Sequence, residues 1–152
     1  MSPPATHFDL NSDLNPSALV ETFARDRQVS VEGFLTSASA NALAAYLNGR
    51  NDWIEVLNAG EKVYEIPQQR LPEFDSATQA QLDRSVNEAA RHGFQYRYRA
   101  IRTDDDSAMR QQSGTLLDAF AEFMCSAPVI SFFRDVTGLL AIDHTFPKWH
   151  AV

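Results

Sequence analysis

Histidines and clustered carboxylates are the side chains here best suited to chemistry, and their spacing decides what they can do. Four histidines stand at positions 7, 92, 144 and 150. Asp143, His144 and His150 form a trio of the facial metal-binding type: two imidazoles and a carboxylate leave the other coordination positions open to small molecules. In an extended segment, however, neighbouring side chains point to opposite faces, so Asp143 and His144 diverge. No carboxylate stands across one residue from either of these C-terminal histidines. The expectation is a solvated tail without bound metal.

Asp104, Asp105 and Asp106 offer several oxygens to a hard cation such as calcium, but neither an Asp-x-Asp-x-Asp-Gly loop nor a downstream bidentate Glu accompanies them. They are read as an exposed loop. His92 falls at the end of a helical pattern, where its charged form suits the helix dipole. Cys125, the single cysteine, lies in the apolar pattern of Leu116, Leu117, Phe120, Phe123 and Met124 and reads as a buried small hydrophobe without a disulfide partner. The chain has no Gly-x-Ser-x-Gly elbow, no Gly-x-x-x-x-Gly-Lys phosphate loop and no Gly-x-Gly-x-x-Gly fingerprint. No residue is therefore assigned a catalytic, cofactor-binding or metal-ligating role.

These residues belong to a chain of 152, of which 44% are hydrophobic, with a net charge of −7. That length supports one core burying roughly 70% of the unfolded surface. The acidic balance disfavours nucleic acid or an anionic membrane as partner, because both are bound through clustered Lys and Arg. The nearest approach to a basic patch is Arg97, Arg99 and Arg102, and the three aspartates follow it directly. No apolar run reaches the roughly 20 residues of a membrane helix, and no signal-peptide pattern opens the chain. A cytoplasmic location is expected.

The periodicities predict a leader over residues 1–14, then a helix from Asn15-Pro16 to about Arg27. A short strand is predicted around Val29 to Glu32, and a helix from Thr36 or Ser37 that ends at Gly49 in a left-handed conformation. Trp53 to Leu57 and Lys62 to Ile66 predict a hairpin, joined through Asn58 to Glu61. Ser76 and Gln79 fit a capping box for a helix to His92, closed by Gly93. Phe94 to Ile101 alternates as a strand. After a polar loop through Gly114, one helix carries Leu116, Phe120 and Phe123, and another runs from Pro128 to Gly138. The fold class is thus α+β: about five helices packed on a small, mainly antiparallel sheet.

Trp53 to Ile66, Gly93 to Tyr98 and Phe120 to Gly138, in this order and spacing, resemble the pre-barrel region of prolyl 4-hydroxylase-like iron(II)/2-oxoglutarate-dependent dioxygenases. The resemblance covers about two thirds of the chain. It implies an oxidoreductase that uses iron(II) and 2-oxoglutarate in a double-stranded β-helix following this region. There a His-x-Asp pair, a distal His and a basic residue hold the metal and the co-substrate. Leu139 to Val152 departs from that pattern, so none of those ligands is carried over.

The resulting expectation is residues 1–14 as a flexible leader, 15–138 as a single domain and 139–152 as a divergent tail, without most of the barrel. The chain would be the N-terminal part of a protein or peptide prolyl hydroxylase-like enzyme, inactive alone and without a cofactor of its own. The alternative is a non-catalytic interaction or dimerisation module, in which Phe120, Phe123, Phe132, Phe133 and Trp149 supply an apolar face for a homodimer or another partner.

Overall fold

The computed structural model describes residues 7–142. Within them the chain forms two units, one built from residues 49–102 and the other from residues 7–48 and 103–142. The fold class is α+β, with a three-stranded antiparallel sheet as its only sheet among the described residues.

The sheet belongs to the first unit. Strands β1 (Ile54–Ala59) and β2 (Lys62–Pro67) form the predicted hairpin, extended so that only Gly60 and Glu61 separate them. Gly60 takes φ +60°, which a side chain would strain, and so permits this tight connection. Strand β3 (Arg97–Ala100) pairs antiparallel with the other side of β1, giving the order β2-β1-β3. Val56 and Leu57 on the central strand are buried, whereas β2 is almost wholly exposed.

The predicted strand over 94–101 is shortened at its start, and Asn58 supplies the reason. Its Oδ1 accepts from the Tyr96 N–H at 2.7 Å, and its Nδ2 donates to the Phe94 carbonyl at 2.9 Å. The side chain thereby takes over ladder positions that a neighbouring backbone would have filled.

Six α-helices and a 3-10 turn (Gln68–Glu73) occur among the described residues. Helix α1 (Pro16–Asp26) begins at the predicted Asn15-Pro16, but the Asn15 side chain makes no capping bond. Helix α2 (Ser37–Asn48) follows, and Gly49 is not in the left-handed conformation expected of it. No strand forms around Val29 to Glu32. The extended pairing falls instead on Leu10 and Leu35, flanked by hydrogen bonds from Asn11 N–H to the Phe34 carbonyl (3.1 Å) and from Thr36 N–H to the Asp9 carbonyl (3.1 Å).

Helix α3 (Ser76–His92) is capped by Asp75, which accepts from the Thr78 N–H at 2.7 Å, so the expected Ser76–Gln79 capping box does not form. Gln79 Nε2 donates instead to the Leu71 and Phe74 carbonyls.

The stretch read as a polar loop before Gly114 contains a further helix, α4 (Ser107–Ser113). Asp106 caps it through the Ala108 N–H at 2.7 Å, and Gly114 closes it with φ +62°. Helix α5 (Leu116–Met124) starts with a capping box in which Thr115 and Asp118 satisfy each other's backbone N–H. Helix α6 (Ala127–Thr137) ends on Gly138 at φ +70°, as its sequence predicts.

The core of the helical unit includes Leu43, Leu117, Phe120, Ala121, Val129, Phe132 and Val136. Phe8 joins it from the predicted leader: it is only 3% exposed and meets Phe120 edge-on, with ring centroids 4.9 Å apart. Phe34 meets Phe132 similarly at 5.5 Å.

Candidate functional site

Three groups of ionisable side chains and two concave regions are the places where chemistry or binding can be sought. In the sheet unit, Glu55 projects from the central strand and is buried, with a side-chain exposure of 6%. Arg97, on the adjacent strand, donates to it from Nε at 2.8 Å and reaches Asp83 on α3 from Nη1 at 2.5 Å. The Asp83 carboxylate, and to a lesser degree Glu55, raises the Arg97 pKa above its ordinary value against the opposing effect of burial. Both carboxylates are engaged by one guanidinium, so this group ties α3 to β1 and β3.

In the helical unit, Arg110 of α4 is 8% exposed. Its Nε donates to Glu122 at 2.7 Å, and its Nη1 donates to the Asp104 and Asp105 carbonyls at 2.7 and 2.8 Å. Ser107 Oγ donates to the second Glu122 oxygen at 3.0 Å. The aspartate run is therefore built into a turn: Asp104 accepts from the Asp106 N–H, and Asp106 caps α4. The three aspartates are exposed and lie in a loop, as expected, and Arg110 holds that loop from inside.

His7-Phe8-Asp9 has the one His-x-carboxylate spacing in the chain, a pair that the sequence reasoning passed over. His7 Nε2 lies 3.1 Å from Asp9 Oδ1, with both side chains well exposed. These two residues line a 440 Å³ groove with Phe8, Glu122, Phe123 and Ser126. Ser126 Oγ is buried there without a hydrogen-bond partner among the described residues. Glu122 is already committed to Arg110 and Ser107, and no group of three or more His, Cys, Asp or Glu side chains converges anywhere among the described residues. Among the described residues the groove thus offers one histidine–carboxylate pair.

The second concavity, of 230 Å³, lies between α3 and the sheet and is walled mainly by aliphatic side chains.

Of the residues singled out from sequence, Asp143, His144, His150 and Trp149 lie outside the described residues. His92 pairs with Glu88 on the exposed side of α3, at 3.1 Å. Cys125 is half-buried at the end of α5, since the helix stops there and the residue leaves the apolar stripe. Arg97 and Arg102 do not form a basic patch: both are ion-paired, Arg102 with Glu65 on β2. No single helix among the described residues is long and apolar enough to cross a membrane. No family model, curated protein or solved structure matches the chain.

Proposed function

We propose that this chain is the pre-barrel portion of an iron(II)/2-oxoglutarate-dependent dioxygenase of the prolyl 4-hydroxylase-like kind, supporting a catalytic barrel without supplying its metal ligands. The observation that carries the proposal is the open sheet. Its outer strands pair only inward, against β1, among the described residues. Unpaired outer strands are sites for continued strand pairing, which a barrel sheet would provide. The hairpin spans the first of the three stretches that carry the resemblance, β3 overlaps the second at Arg97 and Tyr98, and the third runs from within α5 to the end of α6. Iron(II) would be the oxidant-activating group of the complete enzyme and 2-oxoglutarate its co-substrate; this portion contributes the scaffold beside them.

Anaerobic titration of the purified chain with iron(II) in the presence of 2-oxoglutarate, followed by calorimetry and by succinate formation, tests this. The expected outcome is no stoichiometric uptake and no succinate. One iron per chain with turnover of 2-oxoglutarate refutes it.

A second reading is an interaction or dimerisation module. The apolar face expected for it does not form, because Phe120 and Phe132 are buried in the helical core and Phe123 and Phe133 are half-buried. What favours it instead is that Phe94 is 84% and Leu140 80% exposed. Light scattering across a concentration series separates the two. A dimer dispersed by Phe94→Ser supports the interaction module, and a monomer at all concentrations removes it.

A further inference from the structure

The region between α3 and the sheet has an unusual combination of a long helix and poor burial. Helix α3 spans 17 residues, yet none of them is buried. Its apolar stripe of Leu82, Val86 and Ala89 faces Leu57 and Ile66 across a cavity of 230 Å³. Close-packed interiors leave few voids larger than a water molecule, because side chains lining a void lose their dispersion contacts. Here the helix is tied to the sheet beside this space by Arg97, which joins Asp83 to the buried Glu55.

The walls decide what such a space can hold. Asn58 contributes no free polar atom, because its amide is spent on Tyr96 N–H and on the Phe94 and Gly60 carbonyls. Ser85 donates to the Gln81 carbonyl within its own helix. Water needs two to four polar partners, and these walls are too apolar to supply them well. Ala59, Tyr64 and Ser85 are exposed, so the cavity is reached from solvent. An apolar cavity of about 150 Å³ accommodates benzene; at the same space per atom, this one takes roughly nine heavy atoms.

We infer that the cavity between α3 and the sheet is a binding site for a small, uncharged aromatic or branched aliphatic molecule of roughly nine heavy atoms. The Tyr64 phenol at its mouth supplies one hydrogen-bonding group to such a ligand. The inference is independent of the dioxygenase proposal, since no part of it involves iron or 2-oxoglutarate.

The test uses indole as probe, with the full 152-residue chain followed by amide NMR. Saturable shifts are expected at Leu57, Tyr64, Leu82 and Val86, with half-saturation around 1 mM, the range open to so small a ligand. Ala89→Leu, which fills the space, weakens binding at least tenfold while the helical spectrum is kept. Val86→Ile, a milder filling that serves if the first variant fails to fold, weakens it several-fold. The inference is overturned by any one of three results: no saturable shift up to about 10 mM indole, shifts centred on the Phe8–Phe123 groove, or undiminished affinity in a folded filling variant. It is equally overturned if these resonances broaden with protein concentration alone, because an apolar side chain of a second copy would then occupy the cavity.

Discussion

Replacing Arg110 by Ala is the sharpest available test of how α4 and the aspartate turn are held. The guanidinium is 8% exposed and makes three hydrogen bonds of 2.7 to 2.8 Å to Glu122, Asp104 and Asp105. Breaking a buried pair by deleting one partner costs about 3–5 kcal/mol, because the other charge is left without compensation. Glu122 is 35% exposed at its side chain, so water recovers part of that loss. The two carbonyls sit in a surface turn and are rehydrated as well. A destabilisation of about 2–3 kcal/mol follows, which for a chain of this size lowers Tm by about 5–10 °C. Arg110→Lys keeps the charge but cannot span Glu122 and two carbonyls at once, and should lose roughly half as much. Calorimetry or urea unfolding measures both, and hydrogen exchange should quicken at the Arg110 and Gly114 amides that close α4. An Arg110→Ala change below about 0.5 kcal/mol, the level of an ordinary surface substitution, would mean that Arg110 does not hold the turn.

Phe8→Ala should cost about 3 kcal/mol by urea unfolding, since it removes a 3% exposed ring that packs on Phe120 and Phe123; an effect under 1 kcal/mol would return residues 7–14 to the status of a leader. The Asp75 carboxylate is held below its ordinary pKa of 3.8, chiefly by the Thr78 N–H. Its folded value is depressed, so its contribution is present above pH 3.8 and is lost as pH falls through the lower folded value. Asp75→Asn keeps the cap acceptor but should flatten the stability curve in that acid window; an unchanged acid slope refutes the assignment. Asn58→Leu should destabilise by about 2–4 kcal/mol, because it leaves the Tyr96 N–H and Phe94 carbonyl without their partner. Asn58→Asp retains only the bond from Tyr96 and should fall between the two, as measured by thermal unfolding. His7→Ala should leave iron uptake by the chain unchanged, and any loss of stoichiometric iron binding would establish His7-Phe8-Asp9 as part of a metal site.

The elements most legible in the sequence were those whose signals are local. Proline in the first turn marked the starts of α1 and α6 and Gly138 the end of α6, whereas α1 ends on Arg27, and the Asn58 to Glu61 segment marked a hairpin because only a few residue types tolerate a positive φ there. The misreadings share a different cause. The late start of β3 depends on Asn58, which lies 36 and 38 residues away from Phe94 and Tyr96; no local window contains that contact. Helix α4 has little apolar periodicity to announce it and is stabilised by Asp106, Gly114 and a buried arginine whose partner stands on the next helix. Phe8 looked like part of a polar leader because its burial is supplied by α5. At the candidate sites the residue types were visible, but not their partners: Arg97, Arg99 and Arg102 came no nearer than an approach to a basic patch, and only the structure locates the carboxylates that pair Arg97 and Arg102, on α3, β1 and β2.

The same distinction governs how the exposed sheet can be used. Strand β2 is open along its outer edge among the described residues, yet it carries Lys62, Glu65 and Pro67. Charged side chains and proline on an edge discourage indiscriminate strand addition: a second strand would have to bury the charges, and proline offers it no N–H. Glu65 is further tied to Arg102, so bringing another chain against this edge would disturb an existing pair. Self-association, if the chain uses it, therefore falls to side-chain patches such as that around Phe94 and not to an extended sheet through β2. A barrel partner faces a smaller obstacle, because a dedicated strand can be matched in sequence to those charges, whereas a second copy of β2 must present the same lysine, glutamate and proline again. Edge chemistry thus favours a specific structural partner over sheet-to-sheet dimerisation, which is the direction in which the proposed supporting role also points.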